Sequence, residues 1–95
     1  MIFHLMPRTD WERTTGDIVA RPGVEGFVHC CDERQLLDVR SRYFAAHEAV
    51  VALALDPSHL DDETRYELGS EGEPERFPHV YGPLRREHVL LVREL

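Results

Sequence analysis

Residues 77–84 read FPHVYGPL, a stretch that sets a histidine and a tyrosine two positions apart between two prolines. In an extended segment, both of these side chains point to the same face. Two other short apolar segments carry a histidine where the pattern favours a hydrophobic residue, namely GFVHCC at 26–31 and IFHLM at 2–6. The three segments predict strands and mark His4, His29 and His79 as candidate site residues.

Ninety-five residues are enough for one domain, which we place at 1–95. No apolar run approaches the roughly 18 residues that a membrane-spanning helix needs. The amino terminus lacks the basic stretch and apolar core of a signal peptide. We therefore expect a soluble, cytoplasmic protein with no membrane partner.

Charge is unevenly distributed along the chain. Residues 56–75 hold eight acidic side chains and a single arginine, so this segment carries the whole net charge of −7. A protein that binds nucleic acid by neutralising phosphates shows a basic stripe, and no such stripe is visible here. We expect no nucleic-acid partner. Arg8, Arg13 and Arg21 near the first strand could hold a small phosphate-bearing ligand, although ordinary surface arginines are the simpler interpretation.

The hydrophobic pattern predicts five or six short strands, one clear helix and one marginal helix. Strands are expected at 2–6, 26–31, 49–55, 65–68, 78–81 and 88–94, and an exposed loop at 69–76. The run at 49–55 is continuously apolar, which is typical of a central strand buried on both faces. Asp10 is the expected N-cap of the marginal helix, which ends near Gly16.

The clear helix begins at a capping box, with Asp32 as the N-cap and Gln35 three residues later. Apolar positions then keep helical spacing from Leu36 to about His47, so this helix is expected to cover one face of the sheet. Together these elements predict an α+β domain with a small, split or curved, mostly antiparallel sheet and one main helix.

Strand alternation places an aromatic residue beside two of the histidines: Phe27 shares a face with His29, and Tyr81 shares a face with His79. A flat ligand ring could be held between such side chains. The alternative is that both aromatic residues belong to the core and that the histidines bond backbone carbonyl groups.

The sequence offers three other kinds of candidate site. His29 and Cys31 could bind a metal from one strand, but no C-x-x-C or H-x-x-x-H spacing is present, so we expect no metal. Cys30 or Cys31 could act as a nucleophile just before a helix, unless the thiols are buried and inert. Glu67 could be a catalytic carboxylate beside the loop at 69–76, but it lies among seven other acids, and a solvated acidic surface is the simpler interpretation.

The chain resembles a small bacterial domain family of unknown function, DUF family 952. The resemblance rests on residues 3–5, 26–30 and 77–84 together with Trp11, Gln35 and Phe44, and it covers essentially the whole chain. That family is similar in turn to the ADP-ribosyltransferase superfamily, which includes the RNA 2′-phosphotransferases. The resemblance implies an ADP-ribosyltransferase-like fold with a ligand cleft in a split β-sheet.

The same resemblance implies a site that holds NAD or an ADP-ribosylated intermediate. His4 matches the histidine that engages the adenosine-side ribose, and His29 matches the residue that packs near the nicotinamide ribose. In classical transferases a third polar residue, often a glutamate, follows a mobile loop. The resemblance implies that His79, with Tyr81 beside it, takes that position after the loop at 69–76.

We therefore expect a domain that binds NAD or an ADP-ribose-containing nucleotide and carries out ADP-ribosyl-type transfer or cleavage. His4, His29 and His79 are the expected catalytic residues, and Phe27, Tyr81 and Arg8 are the expected ligand-binding residues. The alternatives are a non-catalytic module that binds a nucleotide or a protein, and a metal-dependent enzyme.

Overall fold

A computed structural model of the protein describes residues 1–69 and 74–95. Within these residues the chain forms nine strands, two α-helices and three single 3-10 turns. The strands are β1 Ile2–Pro7, β2 Ile18–Ala20, β3 Val28–His29, β4 Cys31–Asp32, β5 Val50–Leu55, β6 Thr64–Leu68, β7 Arg76–Val80, β8 Leu84–Arg85 and β9 Leu91–Glu94. The helices are α1 Arg8–Arg13 and α2 Leu36–Tyr43, and the 3-10 turns are Glu33–Gln35, Pro57–His59 and Arg86–His88.

The strands are divided among three antiparallel sheets. One has four strands in the order β4-β1-β5-β9, one has three in the order β3-β7-β6, and β2 and β8 form a third pair. The prediction of an α+β domain with antiparallel sheets and one main helix is confirmed. No helix in the described part of the chain is long and apolar enough to cross a membrane.

Strand β5 is the centre of the fold, as the continuous apolar run predicts. All six of its residues are buried, and it pairs with β1 on one side and β9 on the other. Its alternate side chains enter two different cores: Val51, Leu53 and Leu55 pack in one, while Val50, Ala52 and Ala54 pack in the other. Burial on both faces explains why this strand shows no polar alternation.

The single strand predicted at 26–31 is wrong. The chain instead forms β3, which pairs with β7, and then β4, which pairs with β1. Cys30 lies between them, and its amide donates a hydrogen bond to the carbonyl of Pro78 at 3.1 Å. Strands β1 and β7 each offer an edge, so dividing the segment between them satisfies backbone groups of two sheets rather than one. The sheets diverge at this point.

The predicted capping box is present at the start of the main helix. The amide of Asp32 donates to Gln35 Oε1 at 2.8 Å, and a 3-10 turn leads into α2. Gln35 is itself buried, and its Nε2 donates to the carbonyl of Arg76 at 3.0 Å. The box therefore ties the helix start to β7 as well as closing its first turn.

The end of this helix was predicted too late in the chain, because α2 ends at Tyr43 rather than near His47. Arg40 explains the early end: its guanidinium donates to the carbonyls of Phe44 at 2.6 Å and His47 at 3.0 Å. These contacts satisfy carbonyl groups that follow the last turn and have no partner within the helix. Leu37 is 74% exposed and does not cover the sheet as expected.

Smaller boundary errors occur at other elements. Helix α1 begins at Arg8, so Asp10 lies inside its first turn rather than at the N-cap. Strand β2 was not predicted, and the last strand begins at Leu91 rather than His88. Of the loop predicted at 69–76, residues 70–73 lie outside the described residues, and Arg76 already belongs to β7.

Candidate functional site

The structure brings the three predicted histidines together where the sheets diverge. His29 on β3 lies directly opposite His79 on β7, with ring centroids 5.5 Å apart. His4 on β1 approaches from the neighbouring sheet, and its Nδ1 lies 2.7 Å from the carbonyl oxygen of His29. All three line one cavity of about 420 Å³.

Two aromatic residues lie beside the histidines: Phe27 comes just before β3 and lines the second cavity described below, and Tyr81 comes just after β7. Phe27 stacks on the His79 ring with centroids 3.9 Å apart and planes 15° apart, and it meets His29 edge-on at 4.8 Å. The ring centroids of Tyr81 and Phe27 are 5.4 Å apart. Because Phe27 already covers one face of His79, a flat ligand ring cannot enter between these two rings unless Phe27 moves.

The cavity combines an apolar floor with a polar wall. The floor and sides are mainly apolar: Phe3, Leu5, Val39, Phe44 and Phe77 contribute to them. The wall carries the three histidines and Glu25. In the described part of the chain, no arginine lines this cavity, so its charged groups do not favour an anion there.

Glu25 is the carboxylate of this wall. Its Oε2 lies 3.4 Å from His29 Nε2. Hydrogen bonds from its own backbone amide and from His29 hold the pKa of the Glu25 carboxyl below its ordinary value. Glu25 is therefore ionised at neutral pH and adds negative charge to the cavity.

The protonation of His4 follows from its surroundings. Burial lowers the pKa of His4, and this effect outweighs the opposing hydrogen bond to His29. A backbone carbonyl can only accept, so Nδ1 of His4 carries the hydrogen that lies toward His29. At neutral pH the ring is uncharged, and its Nε2 holds a lone pair.

Glu67 on β6 is the residue that the sequence prediction missed. Its Oε1 accepts hydrogen bonds from the Tyr81 hydroxyl and from His79 Nδ1, the latter at 3.0 Å. These two bonds, that of Tyr81 first, lower the pKa of the Glu67 carboxyl, and the same contact raises the pKa of Tyr81. Pairing of β6 with β7 puts Glu67 here, and a β6–β7 hairpin prediction with its register could have found it.

The other nitrogen of His79 has no such partner. His79 is 3% exposed, and its Nε2 is a buried polar atom without a hydrogen bond among residues 1–69 and 74–95. Buried polar atoms are rarely left in this state, and those that are commonly belong to ligand or catalytic sites. Because His79 lines the cavity, a hydrogen-bonding ligand there is one group that could satisfy this atom.

A second cavity of about 420 Å³ adjoins the first. It shares His4, Glu25 and His29 with the first cavity, and Asp10 and Arg21 add charges to its lining. His4, Glu25 and His29 therefore contribute to both cavities.

Arg8 lies apart from the histidines. Its guanidinium pairs with Glu94 on β9, and it lines neither of the two cavities. The contacts of Arg8 offer no support for the predicted ligand-binding role.

The two thiols are poorly suited to act as a nucleophile or to bind a metal ion. Burial raises the pKa of Cys31 to about 12, and burial also raises the pKa of Cys30 above its ordinary range. Both therefore stay protonated at neutral pH, which argues against a thiolate nucleophile. Within the described residues, no group of three histidine, cysteine, aspartate or glutamate side chains is placed to hold a metal ion.

Two crystal structures of one other protein are similar to this chain. The crystal structure of protein CC0527 from Caulobacter crescentus superposes with a TM-score of 0.78 at 25% sequence identity, covering 99% of this chain and 84% of that one. A double mutant of the same protein matches with the same TM-score and coverage at 23% identity. No curated protein matches this chain significantly. The model of a family described as "Protein of unknown function (DUF952)" matches residues 5–92, which include His29 and His79 and begin one residue after His4, and the chain belongs to that family.

Proposed function

We propose that this domain binds NAD or an ADP-ribose-containing nucleotide and catalyses ADP-ribosyl-type transfer or cleavage. The observation that carries the proposal is His79, which lines one cavity with His4 and His29 and whose buried Nε2 has no hydrogen-bond partner among the described residues. A volume of about 420 Å³ falls in the range of small-molecule sites. The apolar floor suits a base, and the imidazole wall suits sugar hydroxyl groups.

The resemblance seen in the sequence adds support. It implies a ligand cleft in a split β-sheet, with His4 and His29 toward the two riboses of NAD. The three histidines lie where the chain passes from β3, which pairs with β7, to β4, which pairs with β1. A site between two sheets is compatible with such a cleft and supports the proposal.

The reaction that we propose breaks the bond between C1 of the nicotinamide ribose and the nicotinamide nitrogen. Nicotinamide leaves with the bonding electron pair, and an oxygen of water or of an acceptor forms the new bond to C1 and loses its proton. The transition state has oxocarbenium character, which a nearby carboxylate stabilises. Glu25 is the ionised carboxylate that lines the cavity and would supply this charge.

The adjoining cavity offers a place for the charged part of the ligand. Arg21 lines it, and it shares His4, Glu25 and His29 with the first cavity. A guanidinium group binds phosphate oxygens well. We propose that the pyrophosphate lies toward Arg21 while a nucleoside half occupies the first cavity.

Titration with NAD and then with ADP-ribose, followed by histidine-ring NMR, tests this proposal. We expect saturable shifts of the His4, His29 and His79 signals in the wild type. In the His79→Ala variant, we expect the shifts of the His4 and His29 signals to be weaker. His59→Ala is the matched control, because His59 is exposed and lines neither cavity. Flat spectra at millimolar ligand, or equal shifts in both variants, would contradict the proposal.

A second candidate function is binding without reaction. It is favoured by the exposure of Glu25, whose side chain is 50% exposed, because solvent screens the negative charge that the proposed transition state requires. Chromatographic measurement of nicotinamide release separates the two functions. Saturable NAD binding with no release by wild type, with water or any added acceptor, would favour the binding module.

A further inference from the structure

We propose that Glu67 is a positioning residue that fixes the hydrogen of His79 on Nδ1, so that Nε2 meets the ligand as a hydrogen-bond acceptor. The inference rests on the proposed function and narrows its ligand: the group at this wall is a hydroxyl or N–H donor and not a phosphate oxygen. Glu67 acts through His79, since Glu67 itself does not line the cavity.

The assignment begins with the contact between the two side chains. Glu67 Oε1 lies 3.0 Å from His79 Nδ1. An ionised carboxylate has no hydrogen to donate, so the hydrogen in this contact belongs to Nδ1. A neutral imidazole carries one ring hydrogen, and Nε2 is then left with a lone pair.

Packing keeps the His79 ring in this orientation. Phe27 stacks on the ring at 3.9 Å, which hinders its rotation. Glu67 is held in turn by the Tyr81 hydroxyl, which donates to the same oxygen that His79 uses. The Arg65 guanidinium lies 4.8 Å from the centre of the Tyr81 ring and is held by Glu63 at 2.9 Å.

The lone pair on His79 Nε2 determines which kind of ligand group can bind there. His79 Nε2 is buried without a partner in the described residues, and only a hydrogen-bond donor can satisfy a lone pair. A sugar hydroxyl is such a donor, whereas an ionised phosphate offers acceptors alone. Glu25 on the same wall repels an anion as well. The first cavity therefore selects the hydroxyl-bearing half of a nucleotide.

The central test is a long-range proton–nitrogen NMR spectrum of the histidine rings, recorded near neutral pH without ligand. We expect wild-type His79 to show a protonated Nδ1 and an unprotonated Nε2. Glu67→Ala should give a mixture of both tautomers, while Glu67→Gln should retain the wild-type form because the amide oxygen still accepts. Glu33→Ala is the matched control, since Glu33 pairs with Arg93 away from the site.

Tyr81→Phe provides a second test that does not depend on Glu67→Ala being folded. It removes one bond to Glu67 and leaves the bond between Glu67 and His79, so His79 should keep its wild-type tautomer. A wild-type His79 with a hydrogen on Nε2 would overturn the inference. An unchanged tautomer in folded Glu67→Ala would overturn it equally.

Ligand probes then test the chemical class. Adenosine should shift His79 Nε2, 2′,3′-dideoxyadenosine should bind about tenfold or more weakly, and inorganic phosphate should leave the His79 signal unchanged. A phosphate-induced shift at His79, or equal binding of the two nucleosides, would overturn the ligand assignment. Absence of nucleoside and nucleotide binding, with the tautomers as expected, would instead count against the proposed function and leave the positioning role of Glu67 standing.

Discussion

Replacement of Gly82 by alanine tests the packing that holds the end of β7 beside the preceding turn. A Cβ atom built on Gly82 would lie 2.7 Å from Cβ of Asp62, and the Asp62 carboxylate atoms would be closer still. Rotation of the Asp62 side chain moves the carboxylate but leaves its Cβ in place. Ordinary contact begins near 3.4 Å, so the backbone of one segment must shift by about 0.7 Å.

Overpacking of this kind in a closely packed region costs about 1–3 kcal/mol. For Gly82→Ala we expect a loss of about 2 kcal/mol in the free energy of unfolding, which lowers the Tm of a domain of this size by about 8–16 °C. Since the neighbouring Tyr81 belongs to the candidate site, weaker ligand binding is expected to accompany the loss.

A double-mutant cycle with Asp62, followed by urea denaturation and circular dichroism, isolates this contact. In an Asp62→Gly background, Gly82→Ala should cost almost nothing, because both the carboxylate and the opposing Cβ are gone. In an Asp62→Ala background, the Cβ atom remains and much of the cost should persist. Equal costs in all three backgrounds, or a Gly82→Ala protein within about 0.5 kcal/mol of wild type, would refute the reasoning.

Three further predictions concern the core, the half-buried His4 and a buried thiol. Leu53→Ala should lower the free energy of unfolding by about 3–4 kcal/mol in urea denaturation, because Leu53 is fully buried on the central strand. The exposed Leu37→Ala should cost less than about 0.5 kcal/mol, and similar costs for both would contradict the described core. Burial lowers the pKa of His4 below 6.5, so the unfolded chain takes up a proton more readily than the folded one. Stability should therefore be greatest above pH 6.5 and decline as the pH falls toward the folded pKa; His4→Asn should flatten this slope in pH-dependent denaturation, and His47→Asn should not. Burial raises the pKa of Cys31 to about 12, so a thiol reagent at about pH 8 should label it slowly in the native protein and rapidly in urea. Rapid labelling of the native protein would contradict this burial.

Several features of the fold could be predicted because they depend on neighbours in the chain. The alternation in β1 sends Ile2 and Met6 to one core and Phe3 and Leu5 to the other, as the period of a strand requires. The capping box at Asp32 depends on a spacing of three residues and was found in the same way.

The role of Glu67 could not be predicted from the same information. It is one of eight acids between residues 56 and 75, and composition does not distinguish it from the others. Its hydrogen bonds to His79 and Tyr81 span 12 and 14 positions in the chain. They exist because β6 pairs with β7 in a register that sets Arg65 opposite His79.

The end of α2 and the division of residues 26–31 also depend on distant or competing partners. Helical spacing continues past Tyr43, but the carbonyl groups there bond the Arg40 guanidinium instead. Local preference favours one strand from Gly26 to Cys31. Two sheet edges, at β1 and β7, compete for its backbone, and each takes a part.

Local pattern was thus sufficient for the α+β class, the buried central strand, the start of the main helix and the choice of three histidines. These features arise from side-chain periodicity and from hydrogen bonds over a few residues, which any short segment carries with it. Tertiary structure alone placed Glu67 behind His79 and left Arg8 outside the site. Those outcomes depend on strand order and register, which bring together residues far apart in the chain and which no single segment encodes.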